Sequence, residues 1–157
     1  MTVLTVALAS LLATPVVAQT KPDFSGDWVS VEVTIDPPEK SGGAMALPPG
    51  VTTIRQSRET LATEREAFDQ KIVYTFFLDG RESRNASGAM TMVTRTRWEG
   101  ARLITEGTMT SLTSQGRFVT TFTEARSLDA RRRMIVETTR TESGGTPVKV
   151  RQVFARK

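Results

Sequence analysis

Glu64 and Glu66 are the close carboxylate pair in this chain whose spacing suits acid–base work. On an extended strand they share a face about 7 Å apart, inside the roughly 5–9.5 Å that two-carboxylate glycosidic chemistry uses. Set among Arg58 and Arg65, the pair reads first as solvated surface acids. Glu106, Glu124 and Glu137 could also reach inward from long strands. An enzyme working through carboxylates, an isomerase or a hydrolase, is therefore one reading. Other chemistries are closed off by composition. The chain has no cysteine and no histidine, which excludes Ser-His-Asp and Cys-His nucleophilic catalysis, a thiol nucleophile and a disulfide framework. A zinc or copper site would have to be all carboxylate, so no metal site, no cofactor and no catalytic residue is assigned.

A second constellation points to binding. Met90, Met92, Thr94, Thr96 and Trp98 share one parity of a single strand, opposite Val93, Arg95 and Arg97. Methionines and an indole beside threonine hydroxyls would line an adaptable pocket for an apolar ligand with a polar end, or form an ordinary core. Tyr74, Phe76, Met109, Phe118 and Phe122 complete either version. The ligand-binding set is then Tyr74, Phe76, Met90, Met92, Trp98, Met109 and Phe122.

These side chains need strands to position them. Val29, Val31, Val33 and Ile35 recur at period two, while Trp28 has the opposite parity, so either a bulge separates them or both faces are covered. Asp36 to Gly50 holds four prolines and three glycines and reads as a long loop, a lid or a surface excursion. Short strands are expected over 52–57 and 60–66, with a helix over 59–68 as the alternative, then a strand over 71–78 ended by the Asp79-Gly80 hairpin signal. From Ala89 onward, Glu99-Gly100, Gln115-Gly116, Asp129-Ala130 and Gly144-Gly145 punctuate strands over 89–99, 102–113, 117–127, 132–142 and 147–156. Between these strands nothing is long enough for a parallel crossover. The expected fold is all-β, an antiparallel up-and-down meander that closes on itself as a lipocalin-like barrel of 8–10 strands and so abolishes its edges.

Residues 4–18 are an uncharged apolar run ending in small residues, with Val16 and Ala18 where a signal peptidase reads. Residues 1–18 are expected to be a signal peptide and 19–157 a single barrel domain. The run is shorter than the ~20 residues of a membrane helix, so no transmembrane segment is expected after processing. The protein is expected to be exported, to a periplasmic or extracellular location. The net charge of +4, from sixteen arginines and five lysines against seventeen acids, is scattered along the chain. That scatter, without interleaved aromatics, argues against nucleic acid as a partner. Arg131-Arg132-Arg133 reads as a solvated turn or a contact with anionic headgroups.

Phe24-Ser25-Gly26-Asp27-Trp28 resembles the Gly-x-Trp opening of the first barrel strand in lipocalins and the wider calycin group, which includes the fatty-acid-binding proteins. The whole chain from residue 22 also resembles small exported bacterial proteins that begin Phe-Ser-Gly-x-Trp. Their further marks are matched here by Leu78-Asp79-Gly80, Trp98-Glu99-Gly100 and Val153-Phe154. The lipocalin resemblance implies that Trp28 closes one end of the barrel, with an arginine of the last strand packed across it. By position that arginine is Arg151, with Arg156 behind it. Gly26, Trp28 and Arg151 thus form the expected barrel plug, in which a guanidinium stacked on an indole gains cation–π attraction. The function expected is non-catalytic binding of a small apolar or amphipathic ligand. The alternatives are the carboxylate enzyme and a structural or interaction module of the cell envelope.

Overall fold

The computed structural model describes residues 20–38, 50–67 and 70–157. The leader and most of the Asp36–Gly50 loop, with Met45 and Leu47, lie outside the described residues. The described chain forms ten strands: β1 (Gly26–Asp36), β2 (Val51–Gln56), β3 (Thr60–Ala67), β4 (Gln70–Phe77), β5 (Asp79–Ser87), β6 (Met90–Glu99), β7 (Arg102–Thr113), β8 (Gly116–Leu128), β9 (Met134–Glu142) and β10 (Val148–Arg156). Each pairs antiparallel with the next in the chain except β4 with β5, and β1 pairs with β10, so the hydrogen-bonded order runs β4-β3-β2-β1-β10-β9-β8-β7-β6-β5. This is the expected antiparallel barrel. Residues 60–67 are strand, not helix: Leu61, Thr63 and Arg65 alternate with Ala62 and Glu64 across the ladder to β2.

The parity conflict at Trp28 is resolved by a bulge. β1 and β10 pair as Ser30 with Phe154, then Glu32 with Val153, so Val31 is an extra residue. Cross-strand partners share a face. Trp28 and Ser30 therefore point inward before the bulge, and Val33 and Ile35 after it, opposite the buried Gln152 and Val150. Val31, left outside this alternation, is 56% exposed.

The core fills one end of the barrel. Phe24, Trp28, Ile54, Leu61, Leu78, Leu103, Met134, Val136 and Phe154 form one buried cluster, with Phe76, Trp98 and Leu128 packed against it. The segment before β1 is part of this plug. Gln56 accepts the Phe24 amide at 3.0 Å and donates to the Pro22 carbonyl at 2.9 Å. Phe24 in turn lies flat on Trp98, ring centroids 5.9 Å apart, and accepts the Trp28 indole N–H at 2.8 Å on its carbonyl. The guanidinium over Trp28, at 4.5 Å, belongs to Arg156. This corrects Arg151, whose residue lies on the outer face, opposite Thr34 and Glu137, and which ion-pairs with Glu32. Register decides the matter: Trp28 sits directly across from Arg156. Glycine suits position 26 because its φ of +129° disfavours any side chain, and a Cβ there would push the Arg156 guanidinium aside.

Asp79-Gly80 does not make the expected hairpin. Both residues belong to β5, which pairs with β6 through an irregularity between Asp79 and Glu82. β4 and β5 are the two ends of the ladder order, and they meet through side chains. The Asn85 amide oxygen accepts the Thr75 N–H at 2.8 Å while its nitrogen donates to the Thr75 carbonyl at 3.0 Å. Ser83 Oγ accepts the Phe77 N–H at 2.8 Å. A carboxamide thus imitates the backbone pair a ladder would have supplied, which satisfies groups that would otherwise form an open edge. Replacing Asn85 with alanine removes two such bonds and is expected to lower stability by roughly 1–3 kcal/mol. Hydrogen exchange would show it: the Thr75 amide should speed up more than the β7 and β8 amides.

Candidate functional site

Above the plug the inward faces of β2, β6, β7, β8, β9 and β10 line a half-open cavity of about 180 Å³. Its position follows from period-two alternation on long strands. Met92 pairs with Met109 across β6 and β7, and Phe122 lies on the same face of β8, with Arg140 of β9 opposite. Threonines 52, 120 and 138 add hydroxyls to the wall. Beside Phe122 the wall is thinned at Gly107, where a Cβ would collide with the Val93 carbonyl. At this volume the cavity holds about six waters' worth of space, or a short to medium alkyl chain.

Polar groups converge on one side of it. Glu124 and Arg126 follow Phe122 at period two on β8, so both turn inward, and Arg126 Nη2 donates to Glu124 Oε1 at 2.8 Å. Their side chains keep only 25% and 11% of their surfaces in solvent. Arg126 Nε and Nη1 meet no acceptor, nor does Nε2 of Gln152, a residue 5% exposed on β10, which lies beyond β9 in the same row. Arg140 adds a further guanidinium to the wall. Buried donors without acceptors are costly, so these three are the groups of the wall that an acceptor-bearing molecule would satisfy. Across the barrel, Arg65 and Tyr74 take inward positions on β3 and β4. Burial holds the Arg65 guanidinium below its usual pKa, an effect the Tyr74 phenol opposes. Burial pushes the Tyr74 phenol up, opposed by Arg65.

The residues singled out for ligand binding divide. Met92, Met109 and Phe122 line the cavity. Trp98 and Phe76 belong to the plug. Tyr74 faces Arg65, and Met90 is half-buried beside the β5–β6 turn at the end away from the plug, where Phe118 is 49% exposed. Arg126, Glu124, Arg140 and Gln152 were not singled out as ligand contacts, although Arg126 and Glu124 share the parity of Phe122.

Glu64, Glu106 and Glu137 face outward. Glu64 bridges Lys71 at 2.6 Å and Arg55 at 3.3 Å, and the Lys71 hydrogen bond chiefly holds its carboxyl below the usual range. Glu106 pairs with Arg97 and Glu137 with Arg102. Glu64 and Glu66 are thus on the solvent side, which removes them as a catalytic pair within the barrel. Arg133 is drawn onto Asp129, whose carboxylate also caps the Arg131 and Arg133 amides, so the arginine run closes a turn. A larger depression of about 410 Å³ lies at the β1, β8, β9 and β10 wall. Of its outward-facing cations, Arg102 and Arg151 pair with Glu137 and Glu32 in solvent and Lys149 is exposed, whereas Arg126 Nε and Nη1 and Gln152 Nε2 are buried without an acceptor.

Among the described residues there is no cluster of three or more acids that could hold a metal ion, and no helix is long and apolar enough to cross a membrane. No protein-family model matches the chain, and no curated protein does. Solved structures do. A fatty acid transporter, REP1-NXSQ, shares 9% identity over 85% of this chain and 95% of its own, with a TM-score of 0.56. Lipid binding protein 8 of Caenorhabditis elegans, in its apo form, shares 15% identity over the same 85% and 95%, again with a TM-score of 0.56. At such identities the likeness establishes the fold, a barrel of the kind those lipid-binding proteins use.

Proposed function

We propose that this protein is a non-catalytic carrier that binds one small amphipathic molecule inside its barrel after export from the cytoplasm. The tail lies against Met92, Met109 and Phe122, and an anionic end such as a carboxylate accepts from Arg126 and Gln152. The observation that carries the reading is the set of three buried donors without acceptors, Arg126 Nε and Nη1 and Gln152 Nε2, beside an apolar-walled cavity. The printed names of the structural neighbours, a fatty acid transporter and a lipid-binding protein, point to the same ligand class. The cavity is smaller than the ~300–1,000 Å³ of drug-sized sites, which favours a short alkyl chain.

Displacement of a bound lipophilic fluorophore tests this. Decanoate should displace it at one equivalent per barrel and decanol more weakly; displacement by neither would refute the reading. Export is tested separately by fractionating producing cells and sequencing the mature N-terminus, expected at Gln19.

A further inference from the structure

We propose that the tip of the β7–β8 hairpin docks the barrel on a membrane surface carrying anionic phospholipid. This goes beyond the carrier reading, because the tip lies outside the cavity. β6 starts at Met90 opposite Ser111, and the last bond on that side runs from the Leu112 N–H to the Ala89 carbonyl at 3.0 Å. On the other side β9 ends at Glu142 opposite Thr120, and the Ser143 N–H donates to the Val119 carbonyl at 3.1 Å. Beyond these bonds the hairpin pairs only with itself among the described residues, Leu112 with Arg117 and Thr113 with Gly116. Residues 112–118 are all exposed.

Two large apolar side chains stand on this projection, Leu112, 61% exposed, and Phe118. The register puts them on opposite faces of the hairpin, since Phe118 pairs with Ser111 and Leu112 with Arg117. A projection that is apolar on both faces suits end-on insertion among lipid headgroups, where every side meets acyl chain; a protein partner would have to offer a slot. Charge favours an anionic bilayer. Arg117 forms no ion pair among the described residues and is the single charge from Gly107 to Thr123, and Gly88 to Thr94 on the β6 side is uncharged. The first acid of the flanking strand, Glu142, lies opposite Thr120, two positions further from the tip than Phe118. Phe118, Thr120 and Phe122 share one face of β8, and the last two line the cavity, so the docked tip leads toward it. Two side chains and one arginine make a weak, reversible contact, which collection and release of a ligand require.

The experiment is flotation of the protein with vesicles of phosphatidylcholine, alone or mixed in equal parts with phosphatidylglycerol, at low salt. The wild type should float with the mixed vesicles and less with phosphatidylcholine alone. Leu112→Ser combined with Phe118→Ser should lower partitioning about tenfold or more, and Arg117→Gln about fivefold on the mixed vesicles only, with circular dichroism showing each variant folded. Val73→Ser, which removes an exposed apolar residue from the outer face of β4, should change nothing. A wild type that floats with neither vesicle, tip variants that float as well as the wild type, or an equal loss from Val73→Ser overturns the inference. Decanoate titration of the wild type in parallel separates this from the carrier reading: decanoate binding without flotation leaves the carrier standing, and flotation without decanoate binding leaves the docking tip standing.

Discussion

Replacing Trp28 with alanine is expected to cost about 3–5 kcal/mol of folding stability, the upper part of the range for a buried aromatic. Trp28 has no solvent exposure and sits in the cluster that fills the barrel end. Its removal leaves a cavity that the barrel cannot collapse, because β1 is held by β2 on one side and β10 on the other. It also deprives the Phe24 carbonyl of its donor at 2.8 Å and Arg156 of the ring it covers at 4.5 Å. Phenylalanine at this position keeps much of the volume but not the indole N–H, and should cost less. Urea unfolding would show a lower midpoint with an unchanged m-value. By comparison, Arg151→Ala should shift the midpoint by less than about 1 kcal/mol, because its pair with Glu32 is exposed.

The largest effect on binding is expected from removing Arg126. Arg126→Met alone would leave the Glu124 carboxylate facing the cavity without its partner, which confounds affinity with stability. The informative variant is the double replacement Arg126→Met with Glu124→Gln, since exchanging both partners of a polar contact is close to neutral for folding. Loss of a charge-assisted contact to an anion costs about 2–5 kcal/mol, so decanoate should weaken by roughly 30-fold to more than 1,000-fold. Decanol, which asks only for one acceptor contact, should change by a few-fold. Equal losses for the two ligands would mean that Arg126 shapes the cavity and does not hold a head group.

Much of this barrel was legible because period two is a local property. Met92, Thr94 and Thr96 read as one face and are one face, and the glycine turns after Trp98 and around Gly116 bound the strands where expected. What failed depended on pairing between distant strands. Asp79-Gly80 has the chemistry of a tight hairpin, but β5 takes its ladder from β6, and the contact with β4 passes through Asn85 and Ser83. Arg151 and Arg156 differ by an odd number of positions and so lie on opposite faces. Choosing between them required the β1–β10 register and the bulge at Val31. Arg126 was passed over because charge suggests solvent, yet its spacing from Phe122 already placed it inside. Gln152 had no such local mark; its burial comes from the strands packed around it.

The account stands most directly on where a small acid binds, and an amide NMR titration of the ¹⁵N-labelled protein with decanoate reads that position. Saturable shifts at one equivalent, centred on Met92, Met109, Phe122, Thr138 and Gln152, are the predicted result. Absence of shifts, or shifts confined to the outer face around Arg102, Glu137, Lys149 and Arg151, would contradict it.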